Sequence, residues 1–168
     1  MTEYLPEGCL IGTADNRASL LSYYTLSECM ASGRILEAPC VVCDSRHNLI
    51  VDLGCMRGFI PREEGALGIA EGTTKDIALI SRVNKPIAFI VTGFREDENG
   101  DTYAVLSRRA AQERCKADHL DKLHSGDIIP ARVTHLEPFG CFVDVGCGIP
   151  SLIPIDMISV SRITHPKD

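Results

Sequence analysis

Two segments of the chain carry the same short pattern at the same spacing. Residues 48–55 align with residues 140–147, and both segments contain the sequence V-D-x-G-C. An I-P pair follows in each copy at matched distance once a short gap is allowed. Agreement at this many positions indicates an internal repeat, which predicts two copies of one structural unit.

The second copy has the alternation of a half-buried strand. Within residues 139–146, Phe142 and Asp144 point to one side and Val143 and Val145 to the other. A further phenyl ring, Phe139, precedes the alternating run. We therefore predict a strand that offers aromatic side chains on one face.

Further strands are predicted beside each repeat. In the second copy the pattern indicates strands at residues 128–136 and 152–155. In the first copy it indicates strands at residues 87–94 and 102–107, joined by the polar turn 96–101. Each repeat is thus predicted to be the middle of a larger β-sheet unit.

Several motifs in a fixed order connect the chain to a known family. They are G-R-I-L-E at residues 33–37, R-G-F-I-P at 57–61, V-L-S-R-R at 105–109, G-D at 126–127 and F-G-C-F-V-D-V-G at 139–146. Together they resemble the tandem RNA-binding domains of the bacterial ribosomal protein S-one family. The resemblance implies five-stranded β-barrels of the OB type, and hence a mainly β protein with some helices.

The resemblance divides the chain into four segments. We expect an N-terminal helical segment at residues 1–32, a first S-one-like OB domain at 33–109, a helical linker at 110–125 and a second S-one-like OB domain at 126–168. The second domain is short and is expected to hold strands one to three only. Either the chain is a fragment of a longer protein, which we favour, or its last residues and a partner cover the open edge. We expect this second unit to be less ordered than the first.

An amphipathic helix is predicted near the N-terminus. Asp15 is expected to cap a helix over residues 17–32 that ends at Gly33. Its apolar stripe would be formed by Leu20, Tyr23, Tyr24 and Met30. The helix either closes an open end of the first barrel, which we favour, or docks on the ribosome or another partner.

Two more segments are expected to connect and support the barrels. Ser107 is expected to cap a helix over residues 109–124 that serves as a spacer between the domains. Residues 64–81 are expected to form the crossover of the first barrel and to include a short strand at residues 76–80.

The charge of the chain limits how it can hold nucleic acid. Its 17 Lys and Arg against 23 Asp and Glu give a net charge of −6, the wrong sign for binding by bulk attraction. RNA binding would therefore depend on stacking and on a few placed cations. The chain has neither a long apolar segment nor a signal-peptide layout, so we predict a cytoplasmic protein with no membrane association.

Eight cysteines raise the question of a metal site or disulfides. The C-x-x-C at Cys40 to Cys43 lies on a predicted strand, where residues three apart point to opposite faces and cannot easily share an ion. We interpret the cysteines as buried structural thiols and predict no metal and no cofactor; zinc binding or redox sensing is the alternative. The chain also lacks any recognisable catalytic motif, so we predict no enzymatic activity.

The resemblance places an RNA-binding face on the second copy. Phe139 and Phe142 stand at the two strand aromatics of the family, where exposed rings stack on bases for about 1–3 kcal/mol per base. The family histidine falls at Pro154, whose side chain cannot hydrogen-bond. Arg132 and His135, on the preceding strand, are candidates for contacts to the RNA backbone. The alternatives are core packing of at least one ring and a merely solvated arginine.

The first copy departs further from the family. His47 stands where the second copy has Phe139, and Ile50 stands where it has Phe142, so direct RNA affinity should be low. The weaker candidates lie around this strand pair and on the last strand; they are Arg46, His47, Arg57, Phe59, Arg62 and Tyr103. A degenerate domain that contacts protein is an equal alternative.

The leading functional hypothesis follows from the resemblance. We expect a single-stranded RNA-binding module that acts in translation, binds mRNA at the small ribosomal subunit, is a monomer and has no small-molecule substrate. The alternative is a protein-interaction scaffold on the ribosome or the RNA-decay machinery with little RNA affinity of its own. The acidic charge and the missing rings of the first copy suit that alternative.

Overall fold

The computed structural model describes residues 4–168, which form a closed five-stranded barrel followed by a three-stranded sheet. The barrel strands are β1 (Leu36–Cys43), β2 (Leu49–Asp52), β3 (Arg57–Ile60), β4 (Pro86–Glu96) and β5 (Thr102–Ser107). Their order is β1-β2-β3-β5-β4; β3 and β5 pair in parallel, and β4 closes the barrel against β1. This closed barrel in a mainly β protein with few helices is consistent with the OB fold.

The three-stranded sheet is an antiparallel meander. It consists of β6 (Arg132–Glu137), β7 (Gly140–Asp144) and β8 (Pro150–Pro154), in that order. Strand β6 was predicted to begin at residue 128, but it begins at Arg132. Ile128 is fully exposed, so no packing surface holds the start of that segment in a strand.

The sequence repeat is also a repeat of strand register. Ile50 pairs with Phe59 across β2 and β3, and the equivalent Phe142 pairs with Leu152 across β7 and β8. Both copies also carry a bulge at the same place in the preceding strand, between Cys40 and Val42 in β1 and between Val133 and His135 in β6. The two copies therefore share one local backbone design.

The bulge overturns the prediction that Cys40 and Cys43 face opposite sides of their strand. Cys40 pairs with Val51 and Cys43 with Leu49, and both partners are fully buried in the barrel core. One extra residue in β1 shifts the alternation, so residues three apart share the inner face. Burial raises the pKa of the Cys40 thiol to about 11 and raises that of Cys43 as well.

Two short helices replace the single N-terminal helix that was predicted. They are α1 (Ala14–Ser19) and α2 (Tyr23–Ser32). The cap of α1 is Thr13 and not Asp15, and Ser22 starts α2 with a reciprocal pair of hydrogen bonds to Thr25. Because Ser22 is extended, it interrupts the helix that the apolar periodicity suggested. Gly33 ends α2 in a left-handed conformation, as predicted.

The predicted apolar stripe of this region was wrong. Helix α2 starts at its own cap, so the residues that face the barrel are not those that one continuous helix would place there. Tyr23, Tyr24 and Met30 are exposed, whereas Leu26 and Cys29 are buried in the barrel core. Leu20, outside both helices, packs against the same core. Helix α2 thus covers the barrel, as the favoured interpretation expected.

The crossover of the barrel contains a helical turn where a strand was predicted. Residues Ile77–Ile80 form α3, in which Leu79 is buried and both isoleucines are largely exposed. A single helical turn is sufficient to insert one leucine into the barrel core, and no neighbouring strand pairs with this segment.

The helix after the barrel is shorter than predicted and is not a free spacer. Helix α4 (Arg108–Asp118) is capped by Ser107, as predicted, and a 3₁₀ turn follows at Leu120–Lys122. Ala111, Gln112 and Cys115 are buried, and Gln112 accepts a hydrogen bond from the Leu67 amide of the barrel. The helix therefore packs along the barrel.

A second, smaller core joins the barrel to the three-stranded sheet. Tyr4, Ala88, Cys115 and Cys147 are buried together, with Leu120 and Ile149 packed against them. Within residues 4–168, no helix combines the length and the apolar composition needed to cross a membrane.

Candidate nucleic-acid interface

An aromatic cluster lies on one face of the three-stranded sheet. The rings of Phe139 and Phe142 meet edge to face, with centroids 6.2 Å apart. Phe139 is 55 % exposed and Phe142 is half-buried, so at least one ring is open to a stacking partner. The imidazole of His135 stacks beside Phe142 at a centroid distance of 6.3 Å. The structure thus brings together three of the four strongest sequence-predicted residues.

The strand register explains why these rings share a face. His135 pairs with Phe142, and Phe142 pairs with Leu152, which is 42 % exposed. Directly paired residues point to the same side of an antiparallel sheet. On the opposite side, Cys141 and Val143 are buried. We call His135, Phe139, Phe142 and Leu152 the aromatic face; Leu152 was not among the predicted site residues.

Gly140 permits the close strand contact that positions Phe139. A Cβ atom at this position would overlap the carbonyl oxygen of Ile153 on the neighbouring strand. The Phe139 carbonyl accepts a hydrogen bond from the Ile155 amide at 2.9 Å. The turn that carries Phe139 is therefore held on both sides by backbone contacts of β8 and the residue after it.

The two predicted polar partners of the rings are already engaged. His135 Nε2 lies 2.5 Å from Glu137 Oε1, on the same exposed strand. Arg132 donates hydrogen bonds to the Glu7 carbonyl at 3.0 Å and to Cys9 Sγ at 3.3 Å. Arg132 therefore holds the N-terminal segment, whereas His135 belongs to the aromatic face.

A buried polar network fixes this sheet to the barrel. Asp144 accepts hydrogen bonds from the amides of Glu7, Gly146 and Gly148 at 2.7–3.0 Å. Glu7 binds Arg108 through two hydrogen bonds of 2.9 Å and contacts Arg82 at 2.9 Å. Glu7 of the N-terminal segment thus connects the two sides, because its amide binds the sheet through Asp144 and its carboxylate binds Arg82 and Arg108.

The arginines of this network are balanced by the carboxylate of Glu7. Burial opposes the charge of the Arg108 guanidinium, but the Glu7 carboxylate outweighs it and raises the Arg108 pKa. Burial lowers the pKa of Arg82, and the Glu7 charge only partly offsets that effect. Removal of Glu7 would leave two arginines without their shared anion, a kind of loss that costs about 3–5 kcal/mol.

In the first copy, one carboxylate pairs with two of the cationic side chains that were predicted to contact RNA. Arg62 donates to Asp76 through Nε and Nη2 at 2.7–3.1 Å, and His47 Nδ1 lies 2.5 Å from the same carboxylate. The Arg62 and His47 hydrogen bonds lower the pKa of Asp76. His47 also has a left-handed backbone, with φ of 63°. These groups stabilise the crossover and do not form an open cationic patch.

Three of the other first-copy candidates line an acidic groove. Phe59 and Tyr103 meet edge to face at 6.3 Å in a cavity of about 410 Å³. Arg57 lies beside them, and its guanidinium is 3.3 Å from Asp97. Glu96, Asp97 and Glu98 line the same cavity. Arg46 lies apart in the exposed loop before β2. The rings are present, but their surroundings repel phosphate.

Several residues of the site region had no usable signal in the sequence. Glu7 and Arg108 are 101 residues apart, and Glu7 and Asp144 are 137 residues apart. The sequence marked Asp144 only through the repeat, in which Asp52 is the equivalent residue. Each of the two carboxylates accepts a hydrogen bond from the amide of the glycine two residues later. Leu152 could have been found from the same alignment, since it stands where the first copy has Phe59.

Within residues 4–168, no three His, Cys, Asp or Glu side chains come together in a way that could bind a metal ion. No family model matches the chain. The chain is 30 % identical over 151 residues, 88 % of its length, to the small ribosomal subunit protein bS1 of Staphylococcus haemolyticus. It is 34 % identical over 142 residues to the protein of that name from Leuconostoc lactis. A bS1 homolog of Bacillus subtilis is 32 % identical over 124 residues.

These similarities support an S-one-like family. The match covers 82 % of the chain for the Leuconostoc lactis protein and 71 % for the Bacillus subtilis homolog. The chain spans only about a third of the length of these relatives, 36 % and 30 % in the first two cases. The similarity therefore concerns a portion of the relatives that is long enough to include both copies of the repeat.

Proposed function

We propose that the chain binds single-stranded RNA through the aromatic face, as part of translation at the small ribosomal subunit. The observation that carries the proposal is the exposed, edge-to-face pair Phe139 and Phe142 with His135 beside it. Such rings stack on bases without regard to sequence, which suits a chain whose net charge is −6.

The relatives supply the biological setting of the proposal. They are named as proteins of the small ribosomal subunit, which supports a role beside mRNA in the cytoplasm. We further propose that the chain acts as a monomer, has no catalytic activity and requires no cofactor. The first-copy candidate residues contribute little RNA affinity in this view, because His47, Arg57 and Arg62 are paired with carboxylates and the groove that holds Phe59 and Tyr103 is acidic.

Fluorescence anisotropy with a labelled single-stranded RNA of about 12 nucleotides tests the proposal, a length within the range that OB folds cover. Phe139→Ala should weaken binding roughly 5- to 150-fold, which corresponds to about 1–3 kcal/mol per stacked base. Phe139→Ala combined with Phe142→Ala should weaken it further. Titrations at about 50 mM and about 200 mM salt separate stacking from phosphate contacts, because only the latter change the salt dependence.

A second pair of aromatics provides a matched control. Tyr23 and Tyr24 also meet edge to face, at 5.9 Å, and are 47 % and 78 % exposed on α2. Their replacement by Ala should leave RNA affinity within twofold of the wild type. If both double variants bind as the wild type does, the aromatic face is not the RNA site. If the wild type binds no RNA but is retained by a ribosomal or nuclease partner, the scaffold hypothesis replaces this one.

A further inference from the structure

A cleft of about 420 Å³ lies between the barrel and the three-stranded sheet. Its barrel side includes Arg82, Lys85 and Arg108, and its sheet side includes His135, Val143 and Ile149. The volume lies within the range of small-ligand sites in proteins. The cleft has both an apolar wall and a cationic wall, so it suits a ligand with a flat organic part and an anionic group.

The charges of the cleft favour an anion although the chain as a whole is acidic. Two carboxylates face its three cations, Asp144 in its lining and Glu7 behind it. Asp144 is occupied by three backbone amides, and Glu7 is shared between Arg82 and Arg108. Lys85 is exposed and has no carboxylate partner within residues 4–168.

One donor of an arginine that lines this cleft has no acceptor among residues 4–168. Arg82 Nε is buried and makes no hydrogen bond to any residue between 4 and 168. The Nη2 atom of the same guanidinium is bound to the Pro86 carbonyl at 2.5 Å and to Glu7 at 2.9 Å. These two contacts fix the orientation of the guanidinium. A fixed arginine with an N–H that no described residue accepts and an exposed lysine in the same cleft are groups that bind phosphate oxygens.

The cleft and the aromatic face share one residue, His135. His135 lines the cleft and also stacks beside Phe142. A polynucleotide strand whose bases stack on Phe142 and Phe139 would therefore pass His135 on its way to the cleft. The polar hydroxyl of Thr134, also in the cleft lining, is bound to the Phe142 carbonyl, so the ligand groups available there are mainly the cations.

We propose that the cleft binds a backbone phosphate of the same RNA strand that stacks on the aromatic face, with Lys85 and Arg82 as its ligands. This inference rests on the proposed function, because it extends the RNA path from the rings towards the barrel. The barrel would make this contact through residues of its crossover that come just before β4. The groove that holds the two rings of the first copy would take no part in it.

Lys85→Gln is the informative variant, since Lys85 is exposed and takes no part in the buried network. Anisotropy titrations use one labelled single-stranded RNA of about 12 nucleotides and one of about 4, a length at the lower limit of OB-fold site sizes. The variant should bind the longer RNA roughly 3- to 10-fold more weakly, and the slope of log K against log salt should become shallower by about 0.7. Binding of the shorter RNA, which the rings alone can hold, should be unchanged.

Lys122→Gln is the matched control, because it removes the same charge from an exposed position outside the cleft. An unchanged salt slope in Lys85→Gln, with Phe139→Ala still impairing binding, overturns this inference and leaves the proposed function in place. An unchanged affinity in Phe139→Ala overturns the proposed function itself. A titration with uridine monophosphate tests whether the cleft binds a free nucleotide. If uridine monophosphate binds saturably and this binding depends on Lys85, while RNA affinity does not depend on Lys85, the cleft is a nucleotide site and the proposed RNA path is overturned.

Discussion

The two copies of the repeat have the same backbone and opposite surface chemistry. In the first, Val42, Ile50 and Phe59 form the cross-strand row; in the second, the equivalent positions hold His135, Phe142 and Leu152. The first row adjoins a groove lined by three acidic residues and one arginine, whereas His135 of the second row lines a cleft with three basic residues and one aspartate. A shared register therefore does not imply a shared ligand.

The repeated aspartate differs between the copies in the same way. Asp52 is exposed and accepts one hydrogen bond, from the Gly54 amide. Asp144 is buried and adds bonds from Gly148 and from Glu7 of the N-terminal segment. One motif position thus closes a local turn in the first copy and joins separate parts of the molecule in the second.

The largest expected contrast concerns the repeated cysteine. Cys55 is exposed and Cys147 is buried, and the hydrogen bond to Cys115 together with burial raises the pKa of the Cys147 thiol strongly. Because each 1.4 kcal/mol of opening free energy slows labelling tenfold, iodoacetamide should modify Cys55 about 10³-fold faster than Cys147 or more. Peptide mapping by mass spectrometry over time measures both rates; similar rates would show that the second copy opens freely, as the sequence-based expectation of lower order implies.

The next contrast concerns stability. Asp144→Ala leaves three backbone amides without their acceptor and should lower the free energy of unfolding by about 3 kcal/mol. Asp52→Ala removes one exposed bond and should cost less than about 1 kcal/mol. Urea unfolding of both variants gives the comparison. Equal losses would mean that the contact between the N-terminal segment and the sheet contributes nothing to stability.

The smallest expected effect is the recovery of RNA binding when residues of the aromatic row are placed in the first copy. In the Phe139→Ala, Phe142→Ala background, Val42→His with Ile50→Phe should restore less than about 1 kcal/mol of RNA binding, because a ring stacks for 1–3 kcal/mol but the acidic groove opposes phosphate. Anisotropy titration measures the recovery, and the background double variant is its control. Full recovery would show that ring identity alone distinguishes the copies.

Local patterns predicted the strands and the second-copy rings well, and they failed where a single residue changed the phase. The repeat placed β2 and β7 correctly, and the rings it marked do share a face. The extended Ser22 split a predicted helix, and the bulge in β1 turned Cys40 and Cys43 to the same side. Periodicity is counted along the chain, so one cap or one inserted residue reverses every assignment that follows it.

The sequence alone determined the repeated strand register and the position of Phe139 and Phe142, because register and alternation are local properties of a strand. Only the tertiary structure decided which charged groups are free. Arg62 and His47 are paired with Asp76, and Arg132 is held by the N-terminal segment, while Lys85 faces an open cleft. Ion pairs form between residues that are distant along the chain, and composition and spacing carry no record of those partners.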